Sequence, residues 1–155
     1  MSKSLKRVRR ALEHAEIVYE LRETPSARTA QDAALLLGCD LDQIAKSMVF
    51  QGTQSTRVFL FLTAGGNQVD LQKAALLAGE PLDRADPGVV RTHTGFAIGG
   101  VAPVGHLTDL RAFLDPRLMG FDVIWAAAGT PHHVFSVSAV DLHKISGAQI
   151  ADFTS

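Results

Sequence analysis

Residues 48–62 read Met-Val-Phe-Gln-Gly-Thr-Gln-Ser-Thr-Arg-Val-Phe-Leu-Phe-Leu, and this stretch decides the fold class. Met48 to Phe50 and Arg57 to Leu62 are rich in β-branched and aromatic residues, a composition typical of strands. The polar residues Gln51 to Thr56 separate the two runs, so we expect them to pair as a hairpin. A hairpin among helical segments argues against an all-parallel sheet and predicts an α+β fold with a mixed sheet.

Helical and strand patterns alternate on both sides of this hairpin. Apolar residues from Leu5 to Ala15 recur at helical spacing, and Thr29 with Asp32 resembles a capping box that opens a second helix ending at Gly38. The other predicted helices are a short one capped by Asp40 that runs to Ala45, Leu71 to Leu77 capped by Asp70, one opened by Asp86-Pro87 that runs to Arg91, and Val140 to Ile150. The other predicted strands are Ile17 to Leu21, Val123 to Ala128 and Val134 to Val137.

Composition limits the classes of protein that fit the chain. Its 155 residues are 46% hydrophobic and 20% charged, which fits one folded domain. The 15 basic and 16 acidic residues leave a net charge of -1, so a nucleic-acid site must be local and duplex DNA is not an expected partner. One cysteine excludes an internal disulfide and fits the cytoplasm. No apolar run approaches the roughly 20 residues of a membrane span, so we expect no membrane partner.

The familiar catalytic motifs are missing. The chain has no Gly-x-Ser-x-Gly elbow, no Walker loop and no His-Glu-x-x-His, and we expect neither a metal nor a cofactor. His132 and His133 are adjacent, so in a strand they would lie on opposite faces and could not share one ion. Cys39, next to Gly38, lies at the start of a predicted helix and is either a stabilised thiolate or, as we favour, a small buried apolar residue. The basic face of the first helix is either a solvated surface, which we favour, or a contact for the tRNA backbone.

Two features remain as candidates for chemistry. The glycine-rich stretch from Gly95 to His106 can bring backbone N–H groups close to a phosphate or a carbonyl oxygen. It can equally be a pair of tight turns, which we favour when the stretch is taken alone. Lys46 lies where helical character gives way to strand character, and such a lysine is usually a solvated charge. Neither feature alone predicts a function.

Together the two features resemble the YbaK family of aminoacyl-tRNA deacylases, which is related to the editing domain inserted in bacterial prolyl-tRNA synthetases. The resemblance covers nearly the whole chain. It rests on Leu36-Leu37-Gly38 followed by Asp42 to Ser47, on Gly95 to Gly105 with the spacing Gly99-x-x-x-Pro103, and on Ala128-Gly129 leading to Asp141-Leu142. It implies a single α+β domain over residues 1–155, whose mixed, partly barrel-like sheet is flanked by helices.

The resemblance also implies hydrolysis of the ester that joins a wrong amino acid to the 3′ end of a tRNA. In the family, the lysine matched by Lys46 holds the terminal nucleotide or the aminoacyl group. The loop matched by Gly99 to Pro103 positions the substrate through its backbone, which makes Gly99 and Gly100 catalytic candidates. A protein nucleophile is unnecessary if water or a substrate group attacks the ester, and this agrees with the missing triad.

Further substrate-binding candidates surround these residues: Pro103, Ile98, Thr94, Gly95, His106, His132 or His133, Gly129 and Tyr19. Thr94, Gly95 and Ile98 would shape the amino-acid pocket. His106 is either a pocket residue or a structural histidine bonded to backbone, and the histidine pair either touches substrate or lies exposed on the surface.

Departures from the family pattern leave the amino acid open. The branch that removes cysteine from tRNA for proline has an aromatic residue near the end of the first strand and an acid in a late strand. Here an ungapped comparison puts Glu20, beside Tyr19, at the first place and Val134 at the second. Alanine, cysteine, serine, threonine or a small non-protein amino acid on tRNA for proline or a related tRNA all remain. The rival hypothesis is a binding module that recognises a tRNA end or a nucleotide without hydrolysis, as a partner of a synthetase.

Overall fold

The computed structural model describes residues 2–155, which form two β-sheets and five α-helices. The helices are α1 (Lys3–His14), α2 (Ala30–Leu37), α3 (Leu71–Ala78), α4 (Pro87–Thr94) and α5 (Ala139–Ser146). The strands are β1 (Glu20–Glu23), β2 (Ala45–Gly52), β3 (Val58–Ala64), β4 (Leu82–Arg84), β5 (Arg111–Leu114), β6 (Val123–Thr130), β7 (His133–Ser138) and β8 (Gln149–Ile150). Within this part of the chain no helix is long and apolar enough to cross a membrane.

The larger sheet is built around the predicted hairpin, which is confirmed. Its strand order is β4-β2-β3-β5-β8, and the antiparallel pair β2 and β3 places Phe50 opposite Phe59. Strands β5 and β8 then add in parallel. The smaller sheet has the order β1-β7-β6 and is antiparallel throughout. The predicted fold class, an α+β fold with a mixed sheet and flanking helices, is therefore confirmed.

The main core lies where the two sheets and α1 pack against each other. Alternation along a strand sends every second side chain to one face, so Leu60 and Leu62 of β3 face this core while Phe59 and Phe61 face away from it. Phe61 anchors a second core on the opposite face of the larger sheet, and its ring stacks on Phe113 with centroids 5.0 Å apart. Both faces of β3 are consequently buried along its whole length.

The predicted helix caps are also confirmed. Thr29 Oγ1 accepts a hydrogen bond from the Asp32 amide at 3.1 Å, and Asp70 and Asp86 accept from amides in the first turns of α3 and α4. Gly38 ends α2 in the left-handed region with φ 67°. These contacts satisfy backbone groups that have no partner inside the helix.

Several element boundaries differ from the sequence predictions. The helix expected from Asp40 to Ala45 is only the 3-10 turn Leu41–Gln43, because Gln43 folds back onto the Asp40 amide and the next residues pair with β3. The first strand begins at Glu20 instead of Ile17, since its pairing with β7 starts there.

The last predicted helix also ends early, at Ser146, where Gly147 adopts φ 64°. Gln149–Ile150 then form β8. The short strands β4, β5 and β8 were not predicted, because each has only two to four residues and its pairing comes from distant segments.

We predict that Gly129→Ala destabilises the fold by about 1–3 kcal/mol. Gly129 has φ 97°, and an added Cβ would lie 2.9 Å from the Ser4 carbonyl oxygen of α1. Gly120→Ala is the matched control, since its nearest neighbour, Arg117, would be 3.5 Å away. Urea unfolding measures both, and equal free energies of unfolding for the two variants would contradict the prediction.

Candidate active site

A cleft of about 670 Å³ lies along one edge of β2. On its other edge β2 pairs with β3 from Ala45 to Gln51. On the cleft edge, its neighbours among residues 2–155 lie at its two ends: Ile44, just before the strand, bridges to Trp125 of β6, and β4 pairs with Phe50 to Gly52. The gap between β6 and β4 is the cleft, and its volume is within the range usual for small-molecule sites.

Ser47 occupies the middle of this gap. The Gly52 amide donates to the Arg57 carbonyl at 2.8 Å, so even-numbered residues of β2 direct their backbone groups to β3. The Ala85 amide donates to the Val49 carbonyl at 3.1 Å on the opposite edge. By the alternation of antiparallel ladders, the N–H and C=O of Ser47 point into the gap. The Ser47 hydroxyl is buried and has no hydrogen-bond partner among residues 2–155.

Lys46 lines the cleft, and its ammonium group is held by the turn that follows β3. Its Nζ donates to the Asn67 carbonyl at 2.5 Å, and the Asn67 side-chain amide donates to Asp115 at 2.8 Å. Asp115 is only 2% exposed and also accepts from the amides of Ala64 and Arg117. Asp115 therefore fixes the turn after β3, and that turn fixes the lysine.

A second carboxylate supports the same turn. Asp42 accepts from the Gly66 amide at 2.8 Å and from Arg117 Nε at 3.0 Å. Partial burial lowers the pKa of Lys46 from its ordinary value, while the negative charges of Asp115 and Asp42 act in the opposite direction. The two carboxylates thus favour the charged ammonium form of a partly desolvated lysine.

The glycine loop meets the cleft through Gly99. The Gly100 amide donates to the Ala97 carbonyl at 3.0 Å and Gly99 has φ 90°, an arrangement typical of a type II turn. Gly99 is exposed and faces open space, whereas a Cβ on Gly100 would lie 2.8 Å from the Thr130 backbone. Gly99 is therefore an exposed part of the loop that a ligand can reach, Val101 also lines the cleft, and Gly100 packs the loop against β6.

The structure brings only some of the sequence-predicted site residues together. Lys46 and Gly99 line the cleft, while Gly100, Pro103, Ile98, Thr94, Gly95, His106, His132, Gly129 and Tyr19 do not. Thr94 is fully buried and its hydroxyl donates to the Val90 carbonyl at 2.6 Å. His106 shares a 2.7 Å hydrogen bond with the Ala102 carbonyl, so both side chains are held by backbone groups.

The remaining residues of that set have neighbours outside the cleft. Gly95 lies beside Arg7 of α1, and the Tyr19 hydroxyl donates to Glu13 at 3.3 Å. His132 lies exposed in the turn between β6 and β7, whereas the neighbouring His133 lines the cleft and bonds to Thr130 at 2.7 Å. Of these two histidines, His133 is therefore the one placed to contact a ligand in the cleft.

Sequence reasoning missed the charge distribution of the cleft. Three lining side chains carry a full charge and all are cationic: Arg28, Lys46 and Arg84. Among residues 2–155, no Asp or Glu lines it. This local excess occurs in a chain whose net charge is -1. No sequence signal marked Arg28 or Arg84, because they lie in a loop and in a strand that was not predicted.

Other groups that could carry chemistry lie elsewhere. Cys39 does not line the cleft, and burial together with the charge of Asp40 raises the pKa of its thiol, which disfavours the thiolate. Among residues 2–155, no cluster of three or more His, Cys, Asp or Glu side chains could hold a metal ion.

Comparison with known proteins gives the class. The family model of the aminoacyl-tRNA editing domain matches residues 24–145. The uncharacterized protein YwhH of Bacillus subtilis is 32% identical over 128 residues, which cover 83% of this chain and 80% of YwhH. A solved structure of a candidate trans-editing enzyme for prolyl tRNA synthetase has a TM-score of 0.90 and 45% identity, and the match covers 100% of this chain and 99% of that chain.

This chain belongs to the aminoacyl-tRNA editing domain family. Within that family it is related to the editing region of prolyl-tRNA synthetases: the proline–tRNA ligase of Bacillus licheniformis is 32% identical over 143 residues. That match covers 89% of this chain but only 24% of the ligase. The kinship with prolyl-tRNA synthetase editing domains that the sequence predicted is confirmed.

We predict that Ser47→Ala raises the free energy of unfolding by about 1 kcal/mol, because it removes a buried hydroxyl that has no hydrogen-bond partner among residues 2–155. The midpoint of thermal unfolding should rise by roughly 2–4 °C. Ser138→Ala is the matched control: Ser138 caps α5 by accepting from the Asp141 amide, so its loss should cost about 1 kcal/mol. Destabilisation by both substitutions would show that the Ser47 hydroxyl is bonded.

We predict that Asp115→Asn lowers the pKa of Lys46 further, since it removes the larger of the two charges that raise it. An NMR titration of the lysine side chain measures the shift. Asp42→Asn should lower the same pKa without disturbing the buried hydrogen bonds of Asp115, and Asp83→Asn, on the exposed edge strand, is the control. An unchanged or higher Lys46 pKa in both test variants would contradict the prediction.

Proposed function

We propose that this protein is a trans-editing hydrolase that cleaves the ester bond of mischarged aminoacyl-tRNA, with a small amino acid on tRNA for proline as the substrate. The observation that carries the proposal is the cleft, whose charged side chains are all cationic and whose central lysine is held by Asn67. A cationic cleft suits a ligand that carries phosphate groups. Membership of the editing family and kinship with prolyl-tRNA synthetases support the same substrate.

Lys46 is the first residue we assign to the reaction. One of its N–H groups is used by the Asn67 carbonyl, which leaves two donors for the terminal nucleotide or for the ester carbonyl. A fixed positive charge beside the carbonyl stabilises the negative charge that develops on its oxygen as the ester is attacked. The exposed backbone of Gly99 lines the same cleft and would contact the same ligand.

The attacking group in this proposal is water or a hydroxyl of the substrate. Attack by water on the ester carbonyl forms a tetrahedral intermediate, and its collapse releases the tRNA hydroxyl, which takes up a proton from the water, and the free amino acid. Attack by a substrate hydroxyl would release the tRNA hydroxyl and form a new ester, which water would then hydrolyse. Cys39 does not line the cleft, and among residues 2–155 no carboxylate does. The protein contributes placement of the ester and stabilisation of charge, both of which are effective without a covalent intermediate.

The amino-acid side chain would contact apolar walls. Leu36, Leu37, Met48, Trp125 and Val134 line the cleft around the polar groups of β2. Such walls discriminate between small side chains by only about 1–3 kcal/mol per methylene. The esters of alanine, cysteine, serine and threonine are therefore the ones to compare. Val134 stands where the cysteine-removing branch has an acid, so this residue gives no reason to favour cysteine over the others.

The proposed unit is a freestanding domain acting in the cytoplasm, where charged tRNA is used. YwhH and the candidate trans-editing enzyme are matched over most of their lengths, so the fold also occurs outside the synthetases. tRNA selection would then be loose or supplied by a synthetase partner. Equal deacylation of tRNAs that differ only in the anticodon would support this arrangement, and strict dependence on the anticodon would exclude it.

We predict rapid hydrolysis of one or two esters from a panel of tRNAs charged with alanine, cysteine, serine, threonine and proline. Lys46→Ala should lower kcat/KM by about 10²-fold or more, because it removes a fixed charge-stabilising donor. Lys144→Ala, an exposed lysine on α5, is the matched control and should match the wild type.

Two outcomes would count against the proposal. Binding of tRNA without loss of any ester would favour the non-catalytic module that recognises a tRNA end or a nucleotide. Hydrolysis that is equally fast in the wild type and in Lys46→Ala would exclude the assigned role of the lysine.

A further inference from the structure

Arg84 lies on the same face of the larger sheet as Lys46. Residues paired across an antiparallel ladder send their side chains to one face, and Arg84 pairs with Phe50. Side chains two and four residues apart along a strand also share a face, which joins Phe50 to Met48 and Lys46. The register therefore aligns a lysine, a methionine and an arginine beside the unpaired edge of β2.

The spacing of the two cations suits a strand of nucleic acid. Lys46 and Phe50 are four residues apart, or about 13 Å along the strand. This distance corresponds to at most about four stacked nucleotides, at about 3.4 Å each. Met48 lies between the cations and lines the cleft, so it offers an apolar surface to a base. A single strand whose end reaches Lys46 would pass Arg84 a few nucleotides upstream.

The guanidinium of Arg84 has no competing role in the fold. The residue is exposed, and no ion pair or side-chain hydrogen bond involves it among residues 2–155. Its strand neighbour Asp83 points to the opposite face by alternation. Arg84 nevertheless lines the cleft, where the other charged side chains are cationic.

We propose that Arg84 binds a phosphate of the single-stranded 3′ end of the tRNA and so sets how far the terminal ester extends along β2 toward Lys46. The inference rests on the proposed function, because it assumes a tRNA end in the cleft. It adds a binding residue whose strand partner, Phe50, lies about 13 Å from Lys46 along β2, and it gives the strand a direction, from β4 toward the start of β2.

The test compares Arg84→Gln with the wild type in binding uncharged tRNA for proline over a range of salt concentrations. A lost phosphate contact on a single strand reduces the slope of log affinity against log salt by about 0.7. The same tRNA trimmed of its single-stranded 3′ nucleotides is the second probe. Arg91→Gln, an exposed arginine on α4 outside the cleft, is the matched control variant.

The expected result is a smaller salt slope and a several-fold weaker affinity for Arg84→Gln on intact tRNA, with no difference from the wild type on trimmed tRNA. The Arg91 variant should match the wild type on both probes. With charged tRNA, the loss in kcat/KM for Arg84→Gln should arise from KM. An unchanged slope on intact tRNA, an equal loss on trimmed tRNA, or no binding of intact tRNA by the wild type would overturn the inference.

The proposed function and the role of Arg84 can be disproved independently of each other. If the wild type hydrolyses no ester but Arg84→Gln still shows the smaller slope on intact tRNA, the enzyme proposal is wrong and the phosphate site stands. If the wild type hydrolyses an ester but the slope is unchanged, the enzyme proposal stands and Arg84 has no part in binding.

Discussion

Strand β2 is paired along the whole of one edge and only at the two ends of the other, and the site depends on this incomplete pairing. β6 meets the chain at Ile44 and β4 meets it from Phe50, so the backbone of Ser47 between them faces a cleft instead of another strand. Unpaired strand edges are costly because they leave donors and acceptors open. Here the open groups lie where a substrate can bind them.

The rest of the site is built to hold one lysine beside that edge. Partial burial of an ammonium group is unfavourable unless opposite charges and hydrogen bonds offset it. Asp115 and Asp42 supply the charges from behind the turn that follows β3, and the Asn67 carbonyl supplies the hydrogen bond. Because the carboxylates do not line the cleft, its charged lining side chains among residues 2–155 are all cationic. A protein with an overall charge of -1 thereby has a local excess of positive charge.

Much of the fold was predictable because its signals are local. The hairpin of β2 and β3 follows from two apolar runs around a polar turn, and the caps at Thr29, Asp70 and Asp86 follow from single side chains. Prediction failed where pairing with distant residues decided the structure. Lys46 belongs to a strand because it pairs with Thr63, whereas its own neighbours suggested the end of a helix.

The sequence by itself determined the α+β class and the helix caps at Thr29, Asp70 and Asp86. Through its resemblance to a known family it also predicted site roles for Lys46 and the glycine loop. It could do so because propensity, capping and motif spacing are properties of short segments. The tertiary structure alone decided which candidates share a cleft. It separated Gly99 from Gly100, moved Thr94 and His106 into packed surroundings, and brought Arg84 to the face of Lys46. Register and burial are set by contacts between segments far apart in the chain, and no local pattern records them.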